Sequence, residues 1–197
     1  MDLLVTLGRT LAFSFACGIN LYATVVILGL AQHFAWVALP EQFSVFDSPW
    51  VIGIAGVLFL VEFVADKVPW LDTVWDGIHT AVRPLGGALV AVASLGEADP
   101  MTQAGIALMG ALTAGSSHFA KAGTRAMVNA SPEPFSNWFL SLVEDVLVLA
   151  LATVALQYPL VALAVCLGLF VAIAFSATLI VRAIRRRFLG PPPPTPA

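Results

Sequence analysis

The sequence predicts an all-α membrane bundle, and three observations carry that prediction. First, 59% of the 197 residues are hydrophobic and only 11% are charged, with a mean hydropathy of +0.93. Soluble domains carry about 45–50% apolar and about 25% charged residues, so this chain has too few polar groups to cover a water-facing surface. Second, the apolar residues form continuous runs, not the alternation over roughly ten residues that a membrane β-barrel shows. Third, a six-span threading places every Lys and Arg on one side.

In chain order, the first apolar segment runs from about Gly8 to Ala31 and is interrupted by Gly18-Ile19-Asn20. The second runs from Trp50 to about Ala65 and stops at Asp66-Lys67-Val68-Pro69. Trp70 to Val82 is too polar to span. Its Trp70, Leu71, Val74, Trp75, Ile78 and Val82 recur at three- and four-residue steps, leaving Asp72, Thr73, Asp76, His79 and Thr80 on the other side. That pattern predicts an amphipathic helix lying in the cytoplasmic interface. The third segment, Leu85 to Leu95, is short against the roughly 20 residues a crossing needs, so a re-entrant or buried segment is the alternative. The fourth begins near Met101 and continues into Lys121, the fifth runs from Phe135 to Tyr158, and the sixth from Leu160 to Val181. Residues 1–187 are thus expected to form one membrane domain, and 188–197 a disordered Pro-rich tail.

Basic residues concentrate on the cytoplasmic side of membrane proteins. With six spans and the N-terminus inside, Arg9, Lys67, Arg83, Lys121, Arg125, Arg182, Arg185, Arg186 and Arg187 all fall inside, while the outer connections hold Glu41, Asp47, Glu97 and Asp99. The expected location is a bacterial inner membrane with both termini cytoplasmic. A cleaved signal peptide fits poorly, because the apolar stretch runs on past any small-residue cleavage site and only Arg9 leads it. A net charge of −3 gives no support to nucleic-acid binding. Cys17 and Cys166 lie inside apolar runs, as packing residues do.

A short signature repeats. Leu60-Val61-Glu62-Phe63-Val64 and Leu142-Val143-Glu144-Asp145-Val146 both read LVE-x-V, on the second and fifth spans, which run in opposite directions in this topology. Three spans plus three spans, with halves at about 1–97 and 98–187, make an inverted repeat, and such repeats place substrate sites near the midplane.

A charge at the bilayer centre costs about 2.5–3.5 kcal/mol and normally faces the bundle interior with a partner. Glu62, Glu144, Asp145, Lys121 and Arg125 meet that description, with Ser117, Lys121 and Arg125 on one helix face. Asn20 and Tyr22, beside the break in the first span, complete a candidate substrate or ion path. The competing explanation is an ion-pair cluster that fixes helix register. Asp72, Asp76 and His79 are weak metal candidates, better explained as the solvated face of the interfacial helix. No CxxC, HExxH, GxxxxGK or GxGxxG motif is present, and neither a catalytic triad nor a haem pair is suggested. No cofactor is expected.

Gly18-Ile19-Asn20-Leu21-Tyr22, then Val61-Glu62-Phe63-Val64-Ala65-Asp66-Lys67-Val68-Pro69, Asp72, Trp75-Asp76, His79-Thr80 and Arg83-Pro84, with Lys121 to Arg125 later, resemble the domain-of-unknown-function 4126 family of bacterial membrane proteins. The resemblance implies a small polytopic membrane protein over most of the chain and brings no substrate or assigned site. The residues themselves point to a small secondary transporter with a carboxylate/lysine site. The alternative is a non-catalytic accessory or scaffold subunit of a larger membrane complex. The expected partners are lipid and a second copy or other membrane subunits. A lipid-modifying enzyme using Asp72, Asp76 and His79 ranks third.

Overall fold

The structure, a computed structural model, describes residues 3–130 and 135–189. Among the described residues it is all helical: α1 (Leu3–Ile19), α2 (Leu21–His33), a 3-10 segment (Glu41–Asp47), α3 (Pro49–Ala65), α4 (Pro69–Leu95), α5 (Pro100–Asn129), α6 (Phe135–Gln157) and α7 (Pro159–Leu189). Proline opens α3, α4, α5 and α7. It fits there because the first turn leaves its backbone N–H groups unbonded anyway. The Asp99 carboxylate caps α5, accepting from the Met101 and Thr102 amides. Gly96, with φ +81° and ψ −150°, ends α4 in a positive-φ extended conformation that glycine alone adopts readily.

Helix α1 stops at Asn20, whose backbone is extended and whose side chain caps α2 through the Ala23 amide. The chain then doubles back. Near its start, Arg9 donates to Ala38 O at 3.5 Å and to Leu156 O at 3.4 Å, and Phe13 packs on Phe43 at 6.0 Å between ring centroids. Asn20 lies eleven positions beyond Arg9, about 16 Å at 1.5 Å per residue. Had α2 continued in the direction of α1, the few residues after His33 could not have returned Ala38 to the level of Arg9. Helices α1 and α2 are therefore a helical hairpin with its tip at Asn20.

The other contacts fix the remaining directions. A Cβ on Gly8 would lie 2.1 Å from Pro159 O, and Phe15 packs edge-on against Phe170, so α7 runs parallel to α1. One end of the bundle holds the start of α1 and the α2–α3, α4–α5 and α6–α7 connections. The other holds the α3–α4 turn, the α5–α6 link and the end of α7.

These directions correct the predicted topology. The first apolar segment is a hairpin and not a span, so the six-span count fails and the two termini leave opposite ends of the bundle instead of sharing one. Three helices, α4, α6 and α7, are long and apolar enough to cross a membrane, or four if the 3-10 segment and α3, bent by 64°, count as one span. The LVE-x-V helices α3 and α6 do run in opposite directions. What precedes them differs, a hairpin in one half and a single helix in the other, while the helices that follow them, α4 and α7, also run in opposite directions. The Pro-rich tail lies outside the described residues from 190 onward, and α7 continues past the expected boundary to Leu189.

A second correction concerns α4. The expected interfacial helix and short third span are one continuous 27-residue helix with Pro84 inside it. Its polar stripe, Asp72, Asp76, His79 and Arg83, is buried, while Trp70 is 69% exposed, Ile78 58% and Leu89 70%. The amphipathic spacing was legible, but the apolar side faces outward. A bundle in hydrocarbon requires this arrangement, since its polar groups find partners only inside. Packing is closest where side chains are smallest. A Cβ on Gly87 would lie 2.4 Å from Ala114 Cβ and 2.8 Å from Gly110 O, which lets α4 and α5 meet at backbone distance.

Candidate functional site: a buried charge network

Each helix supplies a polar stripe at helical spacing. Helix α3 brings Glu62, with Asp66 just past its end; α4 brings Asp72, Asp76, His79 and Arg83; α5 brings Ser117, His118, Lys121 and Arg125; α6 brings Asn137, Ser141, Glu144 and Asp145. All are buried. The hairpin tip adds two carbonyls and Asn20.

Three cations bind the network together. Arg83 donates to Glu62 Oε1 at 2.7 Å, to Asp76 Oδ1 at 3.0 Å and to Gly18 O at 3.4 Å. Lys121 lies 3.3 Å from Glu62 Oε1, 3.0 Å from Asp66 Oδ2 and 3.7 Å from Glu144 Oε2, and donates to Ile19 O at 3.2 Å. Arg125 donates through Nε to Glu144 at 3.0 Å, through Nη2 to Asp66 Oδ2 at 3.0 Å, and through Nη1 to Asn137 Oδ1 at 2.9 Å. Gly18 O and Ile19 O are among the last carbonyls of α1, where the helix leaves acceptors unfilled and its dipole favours a positive charge. The break in the hairpin is therefore held by the cations. It also demands glycine, because a Cβ at Gly18 would sit 2.1 Å from Ala114 O.

The histidine tautomers follow from their partners. His118 Nδ1 faces Arg83 Nη1, a pure donor, at 2.8 Å, so Nδ1 accepts and Nε2–H points to Thr80 Oγ1 at 3.1 Å. His79 Nδ1 faces Trp75 O at 2.7 Å and must carry the proton, leaving Nε2 to accept from the Tyr22 hydroxyl at 2.8 Å. Both rings are neutral in this arrangement.

The charges do not balance. Glu62, Asp66, Asp72, Asp76, Glu144 and Asp145 face Arg83, Lys121 and Arg125, with Lys67 at the rim between Phe63 O and Ser141 Oγ. Six carboxylates against four cations leave two negative charges in excess. Asp72 and Asp145 touch no cation in the network: Asp72 Oδ2 accepts from Asn129 at 2.6 Å and Asp145 Oδ1 from Asn20 at 3.1 Å. Glu62 Oε2, Asp66 Oδ1, Asp72 Oδ1 and Asp145 Oδ2 are buried without a hydrogen-bond partner. Excess charge in a low dielectric is costly and is relieved by taking up a proton or a cation.

The expected residues Glu62, Glu144, Lys121, Arg125, Asp145 and Asn20 thus meet in one place, with Lys121 bridging the two repeat glutamates. Tyr22 joins only through His79. Asp72, Asp76 and His79 do not converge on a metal. Each has its own partner, and no three His, Cys, Asp or Glu side chains group as ligands among the described residues. Sequence reasoning missed Asp66, Arg83 and Asn137. It treated Asp66 and Arg83 as loop charges, although the spacing of Arg83 after Asp72, Asp76 and His79 continued a single helix face.

Fold and site together define a helical bundle of membrane character whose interior is an interlocked charge network that meets the tip of a helical hairpin. The chain belongs to the family described as "Domain of unknown function (DUF4126)", which matches residues 7–178. No curated protein and no solved structure matches it.

Proposed function

We propose that the protein is a small secondary transporter that takes up protons or a cation into the buried network, in a bacterial inner membrane with the α3–α4 end cytoplasmic. The single observation carrying this is the surplus of two buried carboxylates around the tip of a broken helix pair. Irregular backbone at membrane depth is tolerated where it lines a cavity, and transporters build ion and substrate sites from such breaks. The orientation is supported by charge. Lys67 and the arginines ending α7 lie at one end, and Glu41, Asp47, Glu97 and Asp99 at the other. Arg9 is the exception; it is buried and bonded to carbonyls.

The test is current recorded from reconstituted protein on a solid-supported membrane during jumps in pH, Na⁺, K⁺ and small organic ions, with orientation verified by protease protection. Transient currents that disappear in Glu144→Gln and Asp145→Asn support the proposal. Silence of the wild type to every jump removes it. One observation favours the second reading, an accessory subunit: only 11% of the most apolar stretch of α7 is buried within the bundle. That reading expects a stable complex, with a second copy or another membrane protein, that survives mild detergent and includes α7 in its cross-links.

A further inference from the structure

Beside the network, α4 and α5 enclose a crevice of about 200 Å³. Asp72 and Asn129 line it from the two helices, and Gly77 and Ala122 give it small walls. Asp72 is fully buried, and its Oδ1 has no hydrogen-bond partner; Asn129 Oδ1 has none either. We propose that this crevice binds a compact primary ammonium ion, held by Asp72 Oδ1 and Asn129 Oδ1.

The chemistry of the walls selects this class. The two unfilled groups are both acceptors, and Asp72 has no cation in contact, so the ligand that gains most carries N–H donors and a positive charge. Arg125 also lines the crevice, but its donors are already committed to Glu144, Asp66 and Asn137. An anion would therefore meet Asp72 without a free cation to bind. Asp76 and His118 also line the crevice, but both face Arg83 Nη1, and no three His, Cys, Asp or Glu side chains group as metal ligands among the described residues. A volume of about 200 Å³ far exceeds the roughly 10–15 Å³ that a single water requires on the same measure, and leaves room for an ammonium with a few carbons. The inference deepens the transporter reading by naming a cargo class, and rests on that reading for movement across the membrane, not for binding.

The experiment is calorimetric titration of the detergent-solubilised full chain with methylammonium chloride at constant ionic strength. Sodium chloride and tetramethylammonium chloride are the comparison arms. Saturable heat is expected with methylammonium, weakened at least tenfold in Asp72→Asn, and absent with tetramethylammonium, which has no N–H to donate. Asn129→Ala, at the crevice rim, is expected to weaken binding severalfold and carries the test if Asp72→Asn does not fold. The site is overturned by no heat in the wild type, by undiminished binding in the folded variants, or by equal affinity for sodium or tetramethylammonium. Binding without transport current removes the transporter reading and leaves the site. Currents without methylammonium binding do the reverse.

Discussion

Glu62 and Asp145 are both buried carboxylates, yet their removal should act in opposite directions. Glu62 Oε1 faces Arg83 at 2.7 Å and Lys121 at 3.3 Å, with no exposure on Glu62 or Arg83. Glu62→Gln keeps the shape but withdraws the charge from both cations and turns an amide toward donors. Breaking a buried pair costs about 3–5 kcal/mol. The lower end applies here, because Arg83 retains Asp76 and Lys121 retains Asp66. Near 200 residues, each kcal/mol moves the melting point by about 2–4 °C, so a fall of about 6–12 °C is expected. Asp145→Asn keeps the acceptor for Asn20 and reduces the negative surplus by one. Its melting point should stay within about 3 °C of wild type or rise, an effect of roughly 1 kcal/mol or less. Tryptophan-fluorescence melting of both variants in one detergent measures the difference. Equal losses in the two variants would refute the charge-balance argument, since that outcome requires burial alone, not pairing, to set the cost.

Further outcomes follow from the same geometry. Cysteine labelling in intact vesicles should find Ala98→Cys on the side of an N-terminal tag, and Ala130→Cys on the side of a C-terminal tag; a shared side for both tags would restore the six-span topology. The native Cys17 and Cys166 are buried and should stay silent in that assay. Gly18→Ala should destabilise by about 1–3 kcal/mol or more through overpacking. Adding Ser117→Ala should not rescue it, because the carbonyl of Ala114 remains in the way; recovery in the double variant would show the backbone can yield. Asp99, in the α4–α5 connection, has its carboxyl held below the ordinary value by bonds from the Thr102 hydroxyl and amide and the Met101 amide. Its contribution is present above the ordinary value of about 3.9 and is lost as pH falls through the lower folded value. Asp99→Ala should therefore lower the melting point at neutral pH, with the gap from wild type closing in strong acid.

Much of the site was legible because buried charge is rare in lipid-facing sequence. Glu62, Glu144, Lys121 and Asp145 stood out from apolar surroundings and do meet. Arg83 and Asp66 did not stand out, since the segment after Ala65 is polar enough to pass for a loop followed by an interfacial helix. The stripe Asp72, Asp76, His79 and Arg83 has the same period whether it faces water or a polar core. Periodicity identifies a face; it does not say what lies opposite.

By itself the sequence determined the solvent, the helical class, the boundaries set by Pro49, Pro69, Pro100 and Pro159, and the break at Asn20, because composition, proline chemistry and side-chain capping act locally. The tertiary structure decided that the first apolar segment turns back, that α4 presents its apolar side outward, and that six carboxylates share one interior with too few cations. Those outcomes depend on contacts such as Arg9 with Ala38 and Arg83 with Glu62, between residues distant in sequence whose partners no local pattern can specify.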